Sequence, residues 1–465
     1  MQELGDPKRI PVIIAVGEIC DRPEVPVEGF DSIELMHQSL IEAEKDAGTS
    51  ILERLDWLGV EDQISFPTPT PQDDLAGLLP QRPAMLVKTK EASGDGPLQL
   101  INDAANLIGE GRIQLAAAVG AEALRTAAKR AQADIAAGRE PPKNDIAAVA
   151  MANAKPLARK HKLFTPIDVY PLYENATRAA WGQTVAEAQR ESAEIWSGFS
   201  KVAAANPKAW LRKATEPEAI GEPSADNRML AFPYTKLMVA NSSVNMGAAV
   251  IVASLAFARE NGIPEDRLVY LGQGAAAHED EDFLLRDGYT SSPSLETTVT
   301  EALDRNGLTS GDIDLVELYS CFPCVPKMAR RVLDWPVDRP ASVYGGLTFG
   351  GGPIGNCMMH AAARMVHRLR EEGTNGLIVA NGGYATHSHS MVFTRTPQPA
   401  GTFPQDYSAQ AQADARRGAV PALLEEYEGE GVIETYTMPY GRDGEPHHAT
   451  VIARNPDGAR FLATV

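Results

Sequence analysis

Glycine, tyrosine, histidine and cysteine are concentrated in the stretch from Tyr344 to His360, YGGLTFGGGPIGNCMMH. Within it Gly350, Gly352 and Gly355 have the G-x-G-x-x-G spacing of a dinucleotide-binding loop, whose backbone amides hold a pyrophosphate. That motif requires a strand immediately before the first glycine, and here only the residues LTF stand between two glycine pairs. No G-x-x-x-x-G-K-[ST] sequence occurs either, so the pattern does not favour a phosphate cradle.

Cysteine and histidine pairs supply other groups capable of chemistry. Cys321 and Cys324 form C-x-x-C, and His387 and His389 form H-x-H. Together they would provide four tetrahedral zinc ligands, but no second C-x-x-C accompanies them, so no metal site is predicted. A histidine titrates near neutral pH and suits general acid–base catalysis, whereas a cysteine is nucleophilic as its thiolate. A purely structural role is the alternative for each of them.

The composition predicts a soluble, multidomain protein in the cytoplasm. Hydrophobic residues make up 44% of the 465 residues, and the formal net charge is −19 with no dense basic run, which disfavours a nucleic-acid partner. The N-terminus shows no secretory pattern, and four cysteines in so long a chain do not indicate a disulfide scaffold. The apolar run GAAVIVASLAFA from Gly247 is too short for a membrane span and is predicted to be a buried helix.

Hydrophobic periodicity predicts alternating strands and helices over most of the chain. RIPVIIAVGEI, at residues 9–19, has the β-branched run of a buried strand, and a helical pattern that ends at Gly48 follows it. The runs IQLAAAVG, DIDLVELYS and GLIVANGG predict further strands. Asp95 and Asn356 are predicted to cap the helices that follow them. This alternation indicates an α/β fold with a mainly parallel sheet, interrupted at about 125–233 by a charged, mostly helical insertion.

The last part of the chain has a different character. RTPQPAGTFPQDY is a proline-rich linker, and the sequence after it alternates apolar and polar residues. Turn residues occur at Arg442–Gly444 and at Asn455–Gly458. A small all-β unit is therefore predicted at the C-terminus.

Four stretches taken together resemble the thiolase superfamily over roughly residues 9–397. NSSVNMGAAVIV at 241–252 resembles N-A-S-x-x-N-D-G-A-A-A-V, and YGGLTFGGGPIG resembles N-G-G-x-x-x-x-G-H-P-x-G. LYSCFP at 318–323 stands where thiolases carry N-E-A-F and sterol-carrier-type thiolases carry H-D-C-F, and NGGYATH at 381–387 stands where they carry the C-G-G loop. FPYTKLM, LYSCFP and GGLTFGGGP are similar in particular to bacterial thiolase-like protein type 1 sequences.

The resemblance implies a duplicated thiolase fold, in which two βαβαβ halves pack as five layers, α-β-α-β-α. The expected domains are an N-terminal half at 1–275, which includes the loop domain inserted at about 125–233, a C-terminal half at 276–397, and a small barrel-like extension at 398–465. Thiolases usually dimerise through the core sheet. A homodimer is therefore implied, as is a small protein partner docked on the extension.

The same resemblance shows that the residues of covalent thiolase chemistry have been replaced. Thiolases use a nucleophilic Cys, the His of G-H-P and the Cys of C-G-G, and the corresponding positions hold Gly94, Gly352 and Asn381. Tyr319 replaces the Asn of N-E-A-F, which holds an oxyanion-binding water. Condensation or thiolysis through an acyl-cysteine is therefore not expected at this site. Gly351, Gly352 and Asn381 are expected to form pocket loops around a coenzyme A ester.

Several reactive side chains remain near these loops. Tyr344, at the Asn position of N-G-G, is predicted to act as a general acid or base for carbon–carbon cleavage, as tyrosines are thought to do in thiolase-fold retro-aldolases; the alternative is a ring packed beneath the loop. His387 is the preferred acid–base histidine, ahead of His389 and His360. Cys321 is either a relocated nucleophile or a buried small hydrophobic residue.

The favoured function is a thiolase-like enzyme of lipid metabolism that acts on β-oxo- or β-hydroxyacyl-CoA. It would make or break a carbon–carbon bond, in the manner of a retro-aldolase, by a route that uses Tyr and His. The alternatives are a non-catalytic protein that binds acyl-CoA or docks a partner, and an acyltransferase that uses Cys321. A coenzyme A thioester is expected as substrate, and no cofactor is expected to be bound permanently.

Overall fold

The computed structural model describes residues 4–141 and 154–465. Residues 142–153, which belong to the predicted inserted lobe, lie outside the described residues, as do residues 1–3. The strands are β1 Pro11–Cys20, β2 Trp57–Val60, β3 Met85–Lys88, β4 Leu115–Glu122, β5 Met229–Ala231, β6 Tyr234–Thr235, β7 Met246–Ser254, β8 Val269–His278, β9 Leu315–Leu318, β10 Asn375–Gly382, β11 His387–Thr394, β12 Val432–Thr437, β13 Thr450–Arg454 and β14 Arg460–Thr464.

The helices are numbered over the described residues alone. They are α1 Ser32–Ala47, α2 Pro71–Ala76, α3 Gly96–Gly109, α4 Leu124–Ala136, α5 Pro156–Lys160, α6 Pro166–Ala180, α7 Val185–Ala205, α8 Pro217–Gly221, α9 Leu255–Glu260, α10 Pro293–Arg305, α11 Cys324–Val332, α12 Cys357–Glu371 and α13 Gln410–Arg416. Short 3-10 turns lie at Pro7–Arg9, Pro26–Glu28, Lys236–Met238, Glu265–Arg267 and Ser310–Asp312.

The central sheet repeats one strand order in two halves. In the described chain the order is β3-β2-β4-β7-β1-β8-β11-β10-β9. Strands β1, β2, β4 and β7 of the first half therefore correspond to β8, β9, β10 and β11 of the second, mirrored about the junction. The halves meet where β1 and β8 pair antiparallel at Val12 and Ile13. Strand β2 pairs parallel with both β3 and β4, and β9 pairs parallel with β10, whereas the other five strand pairs of this sheet in the described chain are antiparallel. The mainly parallel sheet predicted from the alternation of strands and helices is therefore wrong.

Helices cover the outer faces of both halves and also fill the space between them. Helix α1 packs on β1, β4 and β7, and α10 packs on β8 and β11. Helices α3 and α12 contact each other and strands of both halves, so they form the middle layer. The arrangement is the five-layered, duplicated thiolase fold that the sequence motifs predict. The bounds of the three predicted domains stay predictions.

The run that begins at Gly247 is not the buried helix that its sequence predicts. Residues Met246–Ser254 form β7, a strand buried along its whole length, and only Leu255–Glu260 is helical. A strand buried on both faces is apolar at every position, so its sequence cannot be distinguished from a short buried helix by periodicity. No helix among the described residues is both long and apolar enough to cross a membrane.

The C-terminal unit is a three-stranded antiparallel sheet in the order β12-β13-β14. Its buried Arg460 forms an ion pair with Glu434 on β12 and donates hydrogen bonds to the backbone oxygens of Leu284 and Arg286, at 2.5 and 2.7 Å. Arg286 in turn donates to the Ala385 carbonyl at 2.6 Å. Hydrogen bonds therefore link the small sheet to the segment 279–289, and link that segment to the loop between β10 and β11.

Candidate functional site

A mainly apolar cavity of about 430 Å³ lies where the loops that follow the central strands meet. It is bounded by the residues that precede α3, by the LYSCFP and NGGYATH loops and by α6. The stretch YGGLTFGGGPIG at residues 344–355, which we call the glycine loop, forms the remaining wall. The lining residues that carry the argument are Gly94, Tyr170, Tyr319, Cys321, Gly352 and Cys357. Apolar walls with a few convergent polar groups are typical of a site for a small molecule.

A tyrosine fills the space beside Gly94, the residue that the sequence resemblance predicts at the nucleophile position of thiolases. A Cβ atom at Gly94 would lie 2.7 Å from both Cε2 and the hydroxyl oxygen of Tyr319, and it would collide with the Asn381 carbonyl. Any side chain at residue 94 is therefore excluded while Tyr319 keeps its place. The phenol occupies the space that a side chain at residue 94 would need.

Each of two tyrosine hydroxyls at the cavity lies beside a cysteine thiol, Tyr319 beside Cys357 and Tyr170 beside Cys321. Burial raises the pKa of both thiols to about 12, because the hydrogen bonds with the tyrosine hydroxyls compensate only in part. Burial likewise raises the pKa of both phenols well above 10, with the adjacent thiols adding to the effect. All four groups are therefore neutral at physiological pH.

The two tyrosines differ in what their hydroxyl groups do. The Tyr170 hydroxyl donates to the Gly383 carbonyl at 3.1 Å and accepts from Asn381 Nδ2 and the Ala385 amide at 3.0 and 3.2 Å. It holds the loop after β10, and its ring stacks on Phe322 with centroids 4.6 Å apart. The Tyr319 hydroxyl has the Cys357 thiol as its hydrogen-bond partner. Tyr319 lines the cavity and is thus the phenol whose hydroxyl does not hold the loop after β10.

Tyr344 lies beneath the glycine loop and away from the cavity wall. Its side chain is fully buried, its hydroxyl donates to the Gly351 carbonyl at 2.9 Å, and its ring stacks on His360 with centroids 5.6 Å apart. His360 Nδ1 is 3.0 Å from Glu18 Oε1. In the described chain neither Tyr344 nor His360 contributes to the cavity lining, so the geometry is that of the packed-ring alternative.

The two histidines of H-x-H have opposite environments. His387 Nε2 is 2.8 Å from Glu281 Oε1, and its Nδ1 is 3.5 Å from Asp95 Oδ1. Burial opposes the charged imidazole, but the two carboxylates outweigh burial and raise the pKa of His387 to about 10. His389 is buried against Tyr407 and Asn102, and burial lowers its pKa to about 4. His387 is therefore a cation at neutral pH and His389 is neutral.

Both predicted helix caps are wrong. Asp95 precedes α3, but its carboxylate makes no capping hydrogen bond and instead accepts from Ser93 Oγ and faces His387. Asn356 precedes α12 without capping it, because its Nδ2 donates to the Gly120 carbonyl at 2.6 Å. In both cases a tertiary partner competes successfully with the local helix end.

Buried carboxyl groups hold two of the cavity loops from behind. Glu61 accepts from the Ser93 amide at 2.9 Å, and Glu317 Oε2 accepts from the Val343 and Tyr344 amides at 2.9 and 3.1 Å. Burial raises the pKa of Glu61 well above its usual range and that of Glu317 to about 7. Their role is to position the loops.

The sequence analysis missed several residues of the site. Cys357 follows the glycine loop in GNCMMH and Tyr170 lies in the inserted lobe; neither has a motif that distinguishes it from a packing residue. Ser93 is next to the vacated nucleophile position, which is the one signal that could have identified it. Of the predicted loop residues, Gly352 lines the cavity, while Gly351 and Asn381 lie directly behind its wall.

The groups considered for zinc do not come together. Cys324 points its thiol towards the Tyr170 carbonyl at 3.8 Å, and His387 and His389 have the separate partners described above. In the part of the chain that the structure describes, no three His, Cys, Asp or Glu side chains are grouped to hold a metal ion.

Comparisons with known proteins agree with this fold. Residues 410–465 match the family model of the thiolase-like protein type 1 additional C-terminal domain. The crystal structure of a monomeric SCP2-thiolase-like protein type 1 from Mycobacterium smegmatis is 31% identical, with a TM-score of 0.83 over 99% of this chain and 92% of that chain. No curated protein matches the chain.

Two more distant structures show the same fold. Human mitochondrial 3-ketoacyl-CoA thiolase is 15% identical, with a TM-score of 0.57 over 84% of this chain and 99% of that one. The Ltp2-ChsH2(DUF35) aldolase is 17% identical, with a TM-score of 0.63 over 83% of this chain and 98% of that one. The two-halved sheet with its loop-lined cavity thus defines a protein of the thiolase superfamily. Within it, the chain belongs to the SCP2-thiolase-like protein type 1 family.

Proposed function

We propose that this protein makes or breaks a carbon–carbon bond in a β-oxo- or β-hydroxyacyl-CoA without an acyl-enzyme, with Tyr319 as the proton donor. The observation that carries the proposal is that the Tyr319 hydroxyl occupies the space that a side chain at Gly94 would need, in an apolar cavity. A neutral phenol can donate a hydrogen bond or a proton to a substrate oxygen, but it cannot form the thioester of standard thiolase chemistry.

Retro-aldol cleavage fits the groups that are present. The substrate hydroxyl loses its proton, the bond between Cα and Cβ breaks, and Cβ becomes the carbonyl carbon of an aldehyde or ketone. The electron pair passes to the thioester, where the carbonyl oxygen carries the negative charge until Cα takes up a proton. A neutral donor in a low-dielectric cavity stabilises such an oxyanion strongly. The similarity in fold to an aldolase, the Ltp2-ChsH2(DUF35) complex, supports this class of reaction.

The chemistry of the cavity weakens the alternative of acyl transfer through Cys321. A thiol whose pKa is about 12 is almost entirely protonated at neutral pH, and the reactive form of cysteine is the thiolate. We assign the role of the acid to Tyr319 and no longer to Tyr344, because the Tyr344 hydroxyl donates its hydrogen bond to the Gly351 carbonyl. His387 does not line the cavity, but it stays part of the proposal through its contact with Asp95.

The assembly is also a matter of proposal. The relative from Mycobacterium smegmatis is described as monomeric, which favours a monomer over the homodimer that the superfamily resemblance implies. The aldolase with a similar fold is described as a complex with a DUF35 protein. We retain a small protein partner for the C-terminal sheet on that basis.

A non-catalytic acyl-CoA-binding protein is the second candidate. It is favoured by the neutrality of all four phenol and thiol groups at the cavity, because none of them is a base at physiological pH. Such a protein would bind coenzyme A esters and release them unchanged.

The test is product analysis of the purified protein with a long-chain and a steroid β-hydroxyacyl-CoA, and with a β-oxoacyl-CoA plus coenzyme A. We expect a carbonyl product and a shortened acyl-CoA, with the rate reduced about 10²-fold or more in Tyr319→Phe. Tyr427→Phe removes a hydroxyl that only bonds the Glu430 carbonyl at the surface, so it is the matched control. Cys321→Ala is expected to remain active.

Two other results would contradict the assignment of Tyr319 as the proton donor. Binding without products in every mixture would support the second candidate. Full activity in Tyr319→Phe combined with loss in Tyr344→Phe would restore the assignment made from sequence.

A further inference from the structure

A path of polar side chains leads from the cavity wall to the protein surface. Ser93, which lines the cavity, donates its hydroxyl hydrogen to Asp95 Oδ1. The same Asp95 oxygen is 3.5 Å from His387 Nδ1, and His387 Nε2 is 2.8 Å from Glu281 Oε1. The side chains of His387 and Asp95 are 11% and 12% exposed, whereas that of Glu281 is 58% exposed. The path therefore has one end at the ligand cavity and the other in water.

We propose that Ser93, Asp95, His387 and Glu281 form a proton relay that serves the cavity. This inference rests on the proposed function, because it assigns the base that cleavage of a β-hydroxyacyl-CoA requires and that the cavity wall lacks. The Ser93 hydroxyl contacts the substrate, so Ser93 is the catalytic residue of the relay. Asp95, His387 and Glu281 act through it.

The proton balance of cleavage can be followed through the relay. The substrate hydroxyl gives its proton to Ser93 Oγ as the Ser93 proton passes to Asp95 Oδ1, and the bond between Cα and Cβ breaks. His387, now beside a neutral carboxyl group, releases its Nε2 proton through Glu281 to water. When Asp95 returns its proton through Ser93 to Cα of the enolate, His387 regains one from water. No oxidant, reductant or further reactant is consumed.

Local packing reserves space for these groups. A Cβ atom at Gly382 would collide with Ser93 Oγ and Asp95 Oδ1, and a Cβ atom at Gly94 would collide with the wall opposite. The amide of Ser93 is fixed by Glu61, so the hydroxyl cannot leave the path by rotation of the backbone. Because residues 94 and 382 are glycines, no side chain covers the relay at this corner of the cavity. The polar atoms of the relay therefore form the cavity surface there.

The charges around the relay favour an ion pair at its centre. Burial opposes the Asp95 carboxylate, but the hydrogen bond and charge of His387 and the hydrogen bond from Ser93 hold its pKa well below the usual range. The His278 ring packs edge-on against His387, with centroids 4.7 Å apart. The other titratable groups that influence these residues are Glu61, Lys155, His389 and Tyr407.

A purely structural cluster would have a different signature from a relay. If these groups only held the loop after β10, their replacement would lower the stability and raise KM. A relay residue that exchanges protons with water instead changes kcat and its dependence on pH. Glu281 separates the two cases best, since its exposed side chain can be replaced without disturbing the core.

The experiment measures kcat and KM for the wild type, Glu281→Gln and Asp95→Asn over the range from about pH 6 to about pH 10, together with thermal unfolding. Glu426→Gln, at a side chain that is 89% exposed, is the matched charge control. We expect kcat to fall about tenfold in Glu281→Gln and further in Asp95→Asn, at nearly constant KM. In Glu281→Gln the alkaline limb of the profile should move to lower pH, because His387 loses one of its two carboxylates.

The outcomes separate the relay from the proposed function. Cleavage by the wild type with identical kcat profiles for Glu281→Gln and Glu426→Gln would overturn the relay and leave the proposed function intact. Lower stability and higher KM in Glu281→Gln at unchanged kcat would also overturn it. Absence of cleavage by the wild type would overturn the proposed function, and the relay with it.

Discussion

Burial determines which side chains of this site can react. Cys321 and Cys357 are buried thiols whose pKa is raised to about 12, and each lies beside a tyrosine hydroxyl. His387, which belongs to the path from the cavity, is held as a cation between two carboxylates. Reactive residue types are therefore abundant, but the environment leaves them as proton donors rather than nucleophiles.

Alkylation of the native protein tests this view of the cysteines. At about pH 7.5 we expect iodoacetamide to modify Cys20, the partly exposed cysteine, before Cys321, Cys324 and Cys357, because alkylation requires both access and thiolate. Peptide mass spectrometry after a short reaction gives the order, and protein unfolded in urea, in which all four react, is the control. Preferential modification of Cys321 would revive acyl transfer through that residue.

The ion pair of His387 and Asp95 predicts a window of pH in which the protein is most stable. The pKa of His387 is raised from 6.5 to about 10 on folding, so its contribution is complete below 6.5 and is lost as the pH rises through 10. The pKa of Asp95 is lowered on folding, so its contribution is present above its usual value of 3.8 and is lost as the pH falls further.

Urea unfolding as a function of pH checks this prediction. From neutral pH to about pH 10 the free energy of unfolding should fall more steeply for the wild type than for His387→Gln, which lacks the titrating group. Parallel curves for the two proteins would contradict the charge assignment.

At the scale of elements, hydrogen bonds to a buried serine beneath the glycine loop fix the shape of that loop. Gly345, Gly346 and Gly351 have positive φ angles, and Ser342 Oγ accepts from the amides of Gly345 and Gly346 at 2.7 and 3.1 Å. Ser342 also donates to Glu317 at 2.7 Å. A turn of the chain with left-handed residues is thus stabilised by one hydroxyl group at its centre.

Removal of that hydroxyl should loosen the loop without unfolding the sheet. We expect Ser342→Ala to cost about 1–3 kcal/mol in the free energy of unfolding, because the buried amides of Tyr344, Gly345 and Gly346 and a buried carboxyl group lose a partner. Ser310→Ala, in a turn at the surface, is the control. Urea unfolding measures the cost, and values for the two variants that agree within error would contradict the role of Ser342.

The sequence predicts the elements better than the directions of their side chains. The strand RIPVIIAVGEI, the helix ending at Gly48 and the C-terminal strands are all confirmed, since each depends on local pattern and turn residues. The resemblance also predicts that Gly94 and Gly352 stand at the nucleophile and histidine positions of thiolases, and this stays a prediction. It could not show which of the tyrosines faces the cavity, because that choice depends on packing between segments distant in sequence.

At the scale of the whole molecule, buried ion pairs join the added parts to the core. Lys327 on α11 pairs with Glu174 on α6 at 2.6 Å, and both side chains are almost completely buried. Arg460 forms an ion pair with Glu434 inside the C-terminal sheet and connects that sheet to the rest of the molecule through the carbonyls of Leu284 and Arg286. Breaking one member of such a pair leaves an uncompensated charge, so these contacts oppose independent unfolding of the parts.

A matched pair of arginines tests the C-terminal connection. Arg454 and Arg460 both pair with Glu434, but Arg460 is fully buried and donates to the carbonyls of Leu284 and Arg286, whereas Arg454 is partly exposed and donates only to the Asp287 carbonyl of this segment, at 3.2 Å. We expect Arg460→Met to cost about 3–5 kcal/mol and Arg454→Met clearly less. Thermal unfolding would measure both, and similar losses in the two variants would contradict the connection.

The contacts of Arg460 also have a genetic consequence. The cavity itself is encoded upstream of residue 400, yet the segment that supplies Glu281 and holds the loop after β10 is secured by Arg460, far downstream of it. A stop codon at position 460 would therefore behave as a null allele in a screen for activity, although every residue that lines the cavity would still be translated.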